Sequence, residues 1–356
     1  MKIPIKTQLA LTFFAIACLI GVVTSLIVNS LVTNQIIYEA QERVKENLNT
    51  ARWVYTTRIA DIDRVIRWSA IRHVLKEGVK KRNVSSLRSE LLEMMDEEGL
   101  DFLTVTDAKG TVIFRFHNPR VSGDSLIQDP FIRKALGKKG VSGTQVISRE
   151  ELLKDGETLA NKAVFRLIPT PREKLTEKAE ETSGMLLKSA YPIFDFNGDL
   201  LGVITGGVLL NRNYEIVDRI KNIVFKDAKY KGKEIGTATI FMEDLRISTN
   251  VLDKEGNRAI GTRVMKEVYG QVFEKGIPWI QRAFVVDDWY ITAYEPIRDI
   301  QENIVGMLYV GMLESKYALM KERLILVFFL FSMVGMLVAL MVSFFMSWKM
   351  LSKNSK

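Results

Sequence analysis

Arginine and hydroxyl side chains alternate with apolar residues in the later part of the chain, where they could bind a small acid. Tyr290, Thr292 and Tyr294 fall on one face of the predicted strand WYITAY, and Arg246 lies in the predicted strand LRISTN. Arg258 and Thr262 lie in the turn-and-helix segment GNRAIGTRV. An arginine fork donates two parallel hydrogen bonds to a carboxylate, and tyrosine and threonine hydroxyls add donors. These residue types predict a site for a small organic acid or amino acid.

A structural role is the alternative for the same residues. The tyrosines would then pack against a covering helix, and the arginines would be solvated or would pair with Glu243 and Asp244. Surface arginines are common, so the sequence leaves both interpretations open.

A second group of candidates lies earlier in the chain. Arg115 and His117 share one face of TVIFRFH, opposite an apolar face, so they line a ligand side or face solvent. Arg166 and Tyr191 are further candidates. A histidine here could make binding pH-sensitive near neutrality, although a hydrogen-bonded structural histidine is the commoner case.

Catalytic, metal and cofactor chemistry is not indicated. Two histidines and one cysteine, Cys18, exclude a multi-histidine metal site and give poor support to a nucleophilic centre. The glycine-rich run GVITGG lacks the Lys-Ser/Thr ending of a phosphate loop. Adjacent acids such as Asp287 and Asp288 do not converge as an acid–base pair. We therefore expect neither an enzyme nor a bound cofactor.

Two long uncharged segments flank these candidates. No charged residue occurs in 7–38 or in 324–348 of the 356-residue chain, and about 20 apolar residues suffice for a helix to cross a bilayer. We predict transmembrane helices over 7–33 and 324–348. A cleaved signal peptide is the alternative for the first segment, but its length and the lack of a clear small-residue cleavage site disfavour cleavage.

Lysines outside the two segments predict the orientation of the chain. Two precede the first span and three follow the second, without any acid: Lys2, Lys6, Lys349, Lys353 and Lys356. Short basic tails stay in the cytoplasm. We expect a protein of the cell (inner) membrane with both termini cytoplasmic, including the tail 349–356, and with the middle outside. Nucleic-acid binding is not expected, because no basic stripe with interleaved aromatic residues occurs.

A repeat within the middle segment predicts two similar modules. Ten residues separate Pro192 from Gly202, and ten separate Pro296 from Gly306. Further matches keep the same offset and pair Asp195 with Asp299, Gly207 with Gly311 and Leu209 with Leu313. Because several residues match at the same offset, the repeat takes precedence over the secondary structure inferred from any single segment.

The predicted fold class is α+β. Apolar residues at helical spacing over 34–100 predict a helical stalk. After it, the sequence shows the pattern of β-hairpins. We place the two PAS-like modules at 101–214 and 215–320, each an antiparallel sheet with helices on one face. The extra length of the first module is expected in 149–183, where the charged sequence predicts loop or helix.

Several motifs together resemble a known family of sensors. They are VTDAKGTVIFRFHNPRVSGDSL, GVITGGVLLNRN, TATIFMEDLRISTNV, EGNRAIGTRV and YITAYEPIRDI followed by GMLYVGM. With the long N-terminal helix and the flanking spans, they resemble the bacterial double Cache sensor, the extracytoplasmic region of transmembrane chemoreceptors and sensor histidine kinases. The resemblance implies small-ligand binding outside, usually in the membrane-distal module (101–214), signalling to a cytoplasmic output module or partner, and a homodimer.

The C-terminal end departs from this pattern. Eight residues, KMLSKNSK, follow Trp348, and they include no kinase or chemotaxis region. Either the chain is the sensory half of a longer receptor, or it acts through a partner. The alternative function is a non-catalytic membrane platform that binds a partner protein without a small ligand.

Overall fold

The computed structural model describes the backbone of residues 5–353 except 175, 227 and 231. The chain divides into two compact units. One contains the chain up to Arg43 together with the chain from Glu314 onward, and the other is Val44–Leu313. Helix α1, Ile5–Ile71, contributes residues to both units.

The first unit consists of two long apolar helices. It contains the N-terminal part of α1 and the helix α9 (Glu314–Lys353), which include both predicted spans. Both helices are long and apolar enough to cross a membrane by length and composition. Large apolar side chains such as Leu19 and Phe331 are exposed along them. Lys2 and Lys356, on which the predicted orientation partly rests, lie outside the described residues.

The stalk begins with the rest of α1, whose buried positions recur at helical spacing: Val44, Leu48, Ala51, Val54, Ile62 and Ile66. Three shorter helical pieces follow it: α2 (His73–Lys80), a 3-10 turn (Val84–Leu87) and α3 (Arg88–Glu98). The long helix breaks at Arg72, whose backbone is extended (φ −59°, ψ 129°). The predicted stalk is therefore helical throughout but not one continuous helix.

The first module is built on one antiparallel sheet. Its strands are β1 (Phe102–Asp107), β2 (Val112–Arg115), β3 (Val141–Ile147), β6 (Gly184–Phe194) and β7 (Leu200–Leu209), in the order β2-β1-β7-β6-β3. The connections contain α4 (Pro130–Leu136), α5 (Arg149–Asp155), α6 (Glu157–Lys162) and a ribbon of β4 (Phe165–Arg166) with β5 (Glu180–Glu181). The region expected to be loop or helix thus contains both, plus this short ribbon.

The second module repeats the arrangement. Its strands are β10 (Gly236–Met242), β11 (Leu245–Thr249), β12 (Trp279–Val285), β13 (Asp288–Arg298) and β14 (Ile304–Leu313), in the order β11-β10-β14-β13-β12. Before the sheet come α7 (Glu215–Phe225) and a ribbon of β8 (Lys229–Tyr230) with β9 (Lys233–Glu234). Between β11 and β12 lie α8 (Lys266–Val268) and a π-helix (Tyr269–Glu274).

The register of the two sheets agrees with the repeat predicted from the sequence. Pro192 pairs with Val203 in one hairpin, and Pro296 pairs with Met307 in the other. Both hairpins have an irregularity at the same place, after Ile193 and after Ile297. The predicted α+β class, with two antiparallel PAS-like sheets, is confirmed.

Candidate functional site

Strand pairing brings the predicted residues of the second module onto one face of its sheet. One row crosses all five strands, each residue paired with the next: Thr249, Thr239, Tyr309, Tyr294 and Trp279. Directly paired residues point to the same side of a sheet. The two-residue period adds Tyr290 to this side, and it adds Arg246 through its pairing with Phe241.

Arg246 is a deeply buried charged residue of this face, only 2% exposed, whereas Asp288 at the end of β13 is partly exposed and pairs with Lys233. Its Nε donates to Thr262 Oγ1 at 3.0 Å, and its Nη1 donates to Thr239 Oγ1 at 3.0 Å. Its guanidinium carbon lies 4.9 Å from the centroid of the Phe241 ring. Among the described residues, no carboxylate forms an ion pair with Arg246. Its protein partners are therefore neutral.

The electrostatic state of Arg246 is unusual for a buried side chain. Burial lowers the pKa of Arg246, because a low-dielectric surrounding disfavours the charged form. An arginine nevertheless stays protonated in proteins. A buried charge costs several kcal/mol unless an opposite charge accompanies it. The second module thus contains a positive charge whose counter-ion an anionic ligand would supply.

Tyrosine hydroxyls surround this charge. The ring centroids of Tyr294 and Tyr309 lie 4.6 Å apart. Burial raises the pKa of Tyr290, Tyr294 and Tyr309, that of Tyr309 to about 12, so all three stay neutral donors near pH 7. Tyr309 shares a 2.9 Å hydrogen bond with Thr237. The hydroxyls of Tyr290 and Tyr294 have no hydrogen-bond partner among the described residues.

An indole completes the set of donors. Trp279, next to Tyr294 in the row, has a buried Nε1 with no acceptor among the described residues. An indole N–H and a guanidinium can only donate, whereas a tyrosine hydroxyl can donate or accept. Together these groups can donate several hydrogen bonds to an oxyanion.

Residues 261–274, called the cover here, lie over this face. Val264, Met265, Val268 and Val272 pack in the same apolar cluster as Phe241 and Tyr294. The last six residues of the cover form the π-helix, an uncommon conformation that often occurs at functional sites. Gly311 makes room beneath: a Cβ there would lie 2.1 Å from the Tyr309 hydroxyl. The Arg246 guanidinium is therefore enclosed by a mainly apolar cluster beneath the cover.

Two predicted residues of the second module have other partners. Thr292 shares the face, but its Oγ1 donates to the Gln281 carbonyl at 2.7 Å. Arg258 forms a two-pronged ion pair with Asp218, both contacts at 2.8 Å, and stacks 4.1 Å from the Tyr214 ring. The Arg258 fork is therefore already occupied by an internal carboxylate.

In the first module, Arg115 is as buried as Arg246 but has acidic partners. Its Nη1 and Nη2 donate to the two oxygens of Asp124 at 2.7 and 2.9 Å, and its Nε donates to Asp155 at 3.1 Å. Burial acts to lower the pKa of Arg115, but Asp124 and Asp155 outweigh it and raise the pKa. The Arg115 side chain is thus neutralised within the module.

A second cation on the same face is neutralised too. Lys188 Nζ lies 2.5 Å from Asp129 Oδ2 and 3.0 Å from Gln145 Oε1. Burial acts to raise the pKa of Asp129, but the charge and hydrogen bond of Lys188 leave that pKa lowered. Burial raises the pKa of Asp155, with Arg115 and Lys188 opposing the rise. Internal ion pairs therefore occupy this face.

The other three candidates of the first module do not meet at Arg115. His117 is exposed at a surface cleft of about 650 Å³ that Asp96, Asp101 and Asp155 also line. Arg166 is exposed in the short ribbon. Tyr191 donates to Asp63 of the stalk at 3.2 Å. No group of three or more potential metal ligands occurs within the described part of the chain.

Four residues of the site were not predicted: Thr239, Phe241, Trp279 and Tyr309. All four lie in strands of the same sheet as the predicted residues. The signal that would have found them is the strand register, which the aligned hairpins of the repeat partly supply. Thr262 was a candidate, but its contact with Arg246 depends on the position of the cover, which has no sequence periodicity.

Comparisons with known proteins agree with this architecture. Residues 208–323, the second module and its borders, match the family described as Single cache domain 3. The match confirms the Cache resemblance for the second module, and the first module has the same strand order. Two candidate membrane helices flank this region. A search of curated proteins found no match.

Solved structures of sensor domains are similar to this chain at low identity. The periplasmic domain of Vibrio cholerae LuxQ is 10% identical, with 76% of this chain and 98% of that chain covered and a TM-score of 0.44. The sensory domain of the Campylobacter jejuni chemoreceptor Tlp3, with isoleucine bound, is 9% identical (82% and 98% covered, TM-score 0.42). The V. cholerae histidine kinase DctB sensor domain is 10% identical (80% and 98% covered, TM-score 0.40).

Proposed function

We propose that this chain is a membrane-anchored sensor whose second module binds a small organic acid at Arg246. One observation carries the proposal: a guanidinium that is 2% exposed has only hydroxyl and aromatic partners. A buried charge without a counter-ion is costly, and a ligand carboxylate would remove that cost through a charge-assisted pair.

The other residues of this face narrow the range of ligands that the site would bind. The hydroxyls of Tyr290 and Tyr294 and the indole of Trp279 would donate to ligand oxygens, while Phe241 and the valines of the cover would contact a short apolar tail. An amino acid also brings an ammonium group, which needs an acceptor. Asp288, two residues from Tyr290 on the same face, is already paired with Lys233, which favours an organic acid over an amino acid.

The connection to the membrane segment supports a signalling role. Tyr309 lies on β14, which ends at Leu313, and α9 begins at Glu314 without an intervening residue. A ligand that binds one arrangement of β14 more tightly would favour that arrangement and the corresponding position of α9. We propose that residues 34–320 are extracytoplasmic, that both termini are cytoplasmic, and that an output module or partner there receives the signal.

A homodimer is part of the proposal. Two large aromatic side chains of the stalk, Trp53 and Trp68, are 56% and 58% exposed. Exposed aromatic residues on an amphipathic helix suit helix-to-helix association. Light scattering of the full chain in detergent should give the mass of two copies, and the double variant Trp53→Glu/Trp68→Glu should give one.

The ligand proposal is tested by binding to the full chain in detergent micelles. Thermal unfolding is followed with acetate, propionate, lactate, pyruvate, succinate, glycine and alanine. A ligand at a hundredfold excess over Kd stabilises the folded state by about 2.7 kcal/mol. An organic acid should raise the midpoint, and Arg246→Met should abolish the rise. Arg120→Met, at an exposed arginine of the first module, is the matched control and should keep it.

Two results would count against the site. A rise that survives Arg246→Met would place binding elsewhere in the chain. A flat response to every acid on well-folded protein would favour the alternative, a platform for a partner protein.

A further inference from the structure

An excursion of the first module crosses over the cover of the second. This excursion, residues 166–174 (RLIPTPREK), is called the strap here. It leaves the first module at β4, and its start is tied to the returning chain by a hydrogen bond from the Leu167 amide to the Ala179 carbonyl at 2.9 Å. Pro169 and Pro171 restrict its backbone, and the chain turns at Pro171–Arg172, where Arg172 has φ 67°. The strap is therefore a proline-restricted segment with one turn.

Main-chain and hydroxyl hydrogen bonds join the strap to the cover. The Ile168 amide donates to the Gly261 carbonyl at 2.9 Å, and the Lys266 amide donates to the Arg172 carbonyl at 2.8 Å. The Thr170 hydroxyl donates to the Arg263 carbonyl at 3.1 Å. These contacts follow the cover from its first residue to the start of α8.

A lysine of the strap holds the π-helix end of the cover. Lys174 Nζ lies 4.4 Å from the Tyr269 ring centroid and 3.6 Å from a Glu274 carboxylate oxygen. Tyr269 and Glu274 are the first and last residues of the π-helix. In return, Arg263 of the cover donates to the Lys174 carbonyl at 3.2 Å.

The cover, in turn, is bonded to Arg246. The Gly261 amide donates to the Arg246 carbonyl at 3.0 Å, the Arg246 amide donates to the Thr262 carbonyl at 2.9 Å, and Thr262 Oγ1 accepts from Arg246 Nε. A continuous series of hydrogen bonds therefore connects the strap, the cover and the guanidinium.

We infer that the strap is a latch through which the first module controls access to the acid site of the second. This inference rests on the proposed function. Arg246 is 2% exposed, so a ligand reaches it only when part of its surroundings moves. The five-stranded sheet is hydrogen-bonded throughout and residues 261–264 of the cover bond to β11 or its preceding turn, whereas residues 265–274 contain only a three-residue helix and a π-helix. The cover is the segment that opens, and the strap opposes its opening.

Hydrogen exchange of the ligand-free full chain in detergent micelles tests the latch directly. The double variant Thr170→Val/Lys174→Met removes two polar contacts, each worth about 1 kcal/mol, so exchange of residues 262–274 should accelerate by about tenfold or more. Exchange in β10, β13 and β14 should not change. The control is Glu177→Gln, at an exposed position in the chain that returns from the strap to the first module. It should behave as the unmodified chain.

An engineered disulfide between the strap and the cover, called the lock here, should slow hydrogen exchange instead of accelerating it. Glu173 and Met265 are partners in an antiparallel bridge, and the roughly 5 Å between Cα atoms of such partners suits a disulfide. Oxidised Glu173→Cys/Met265→Cys should slow exchange of the cover, and reduction should restore it. Met265→Cys alone should respond to neither treatment.

Propionate binding then links the latch to the site. A cover that must open before the ligand enters or leaves limits both the association and the dissociation rate. The double variant should raise both rates for propionate by about tenfold while Kd changes little, and the oxidised lock should slow both. Unchanged exchange of the cover in both the double variant and the lock would overturn the latch. If propionate does not bind, the proposed function fails for this acid, and the exchange result alone decides the latch.

Discussion

Arg115 in the first module and Arg246 in the second are each 2% exposed, yet they are in opposite electrostatic situations. Arg115 contacts the carboxylates of Asp124 and Asp155, which raise its pKa. Arg246 contacts two threonine hydroxyls and an aromatic ring, and burial lowers its pKa. Two modules of the same strand order therefore use a buried arginine in two ways, and the presence or absence of internal carboxylates distinguishes them.

The comparison also concerns which module binds the ligand. The family resemblance alone favours the first module. The charges favour the second, because Arg115 and Lys188 already have their acids inside. Each prediction below tests this difference between the modules, beginning with the largest effect.

Replacing each arginine by methionine should change stability in different directions. Arg115→Met leaves two partly buried carboxylates without their cation and should lower the free energy of unfolding by about 3 kcal/mol. Arg246→Met removes a charge without a counter-ion and should leave stability unchanged or raise it. Chemical denaturation of the full chain in detergent measures both. Equal losses in the two variants would remove the basis of the comparison.

An internal carboxylate should make the second module resemble the first. Thr239 lies 3.0 Å from Arg246 Nη1, so Thr239→Asp places an acid beside the guanidinium. We expect loss of organic-acid binding by about 30-fold or more, the equivalent of a charged hydrogen bond of roughly 2 kcal/mol. Titration calorimetry measures the loss. Thr239→Val is the control and should keep most of the affinity, because it removes the hydroxyl without adding a charge.

Removing one tyrosine hydroxyl should have a smaller effect. Tyr294 has no hydrogen-bond partner among the described residues, so Tyr294→Phe should leave stability unchanged while weakening acid binding by about fivefold, or about 1 kcal/mol. Tyr309→Phe should also lower stability, because that hydroxyl bonds to Thr237. If Tyr294→Phe destabilised the protein without affecting binding, the hydroxyl would have a structural role instead.

The pH profile of binding should show the smallest effect. Burial raises the pKa of Tyr290, Tyr294 and Tyr309. A raised tyrosine pKa keeps the neutral donor form as the pH rises, and it is lost only near the folded value, about 12 for Tyr309. Affinity for an organic acid should therefore be constant between about pH 6 and pH 9, because the carboxylate and the guanidinium are both charged there. A fall within this range would indicate a titrating group outside the cluster.

The sequence predicted the sheets well because their signals are local. The Pro–Gly spacing and the aspartate turns recur in both hairpins, and strand alternation placed Tyr290 and Tyr294 on one side. Contacts between residues that are far apart in the sequence could not be predicted. The Arg115–Asp155 pair joins residues 40 positions apart, and the Tyr309–Tyr294 contact depends on a register that one residue of slip would destroy. The strap reaches the second module across about 90 positions, without a recognisable motif.

The aligned glycines Gly207 and Gly311 show how two copies of a repeat can retain one residue under different constraints. A Cβ at Gly207 would lie 2.0 Å from the Leu187 carbonyl oxygen, a clash with the backbone itself, whereas at Gly311 the nearest atom belongs to the Tyr309 side chain. Gly207 is therefore fixed by the sheet, whatever its neighbours become. Gly311 is fixed by its neighbour, so an evolving copy that replaced Tyr309 with a small residue would also release Gly311. In the second module, Tyr309 and Gly311 should therefore change together or not at all.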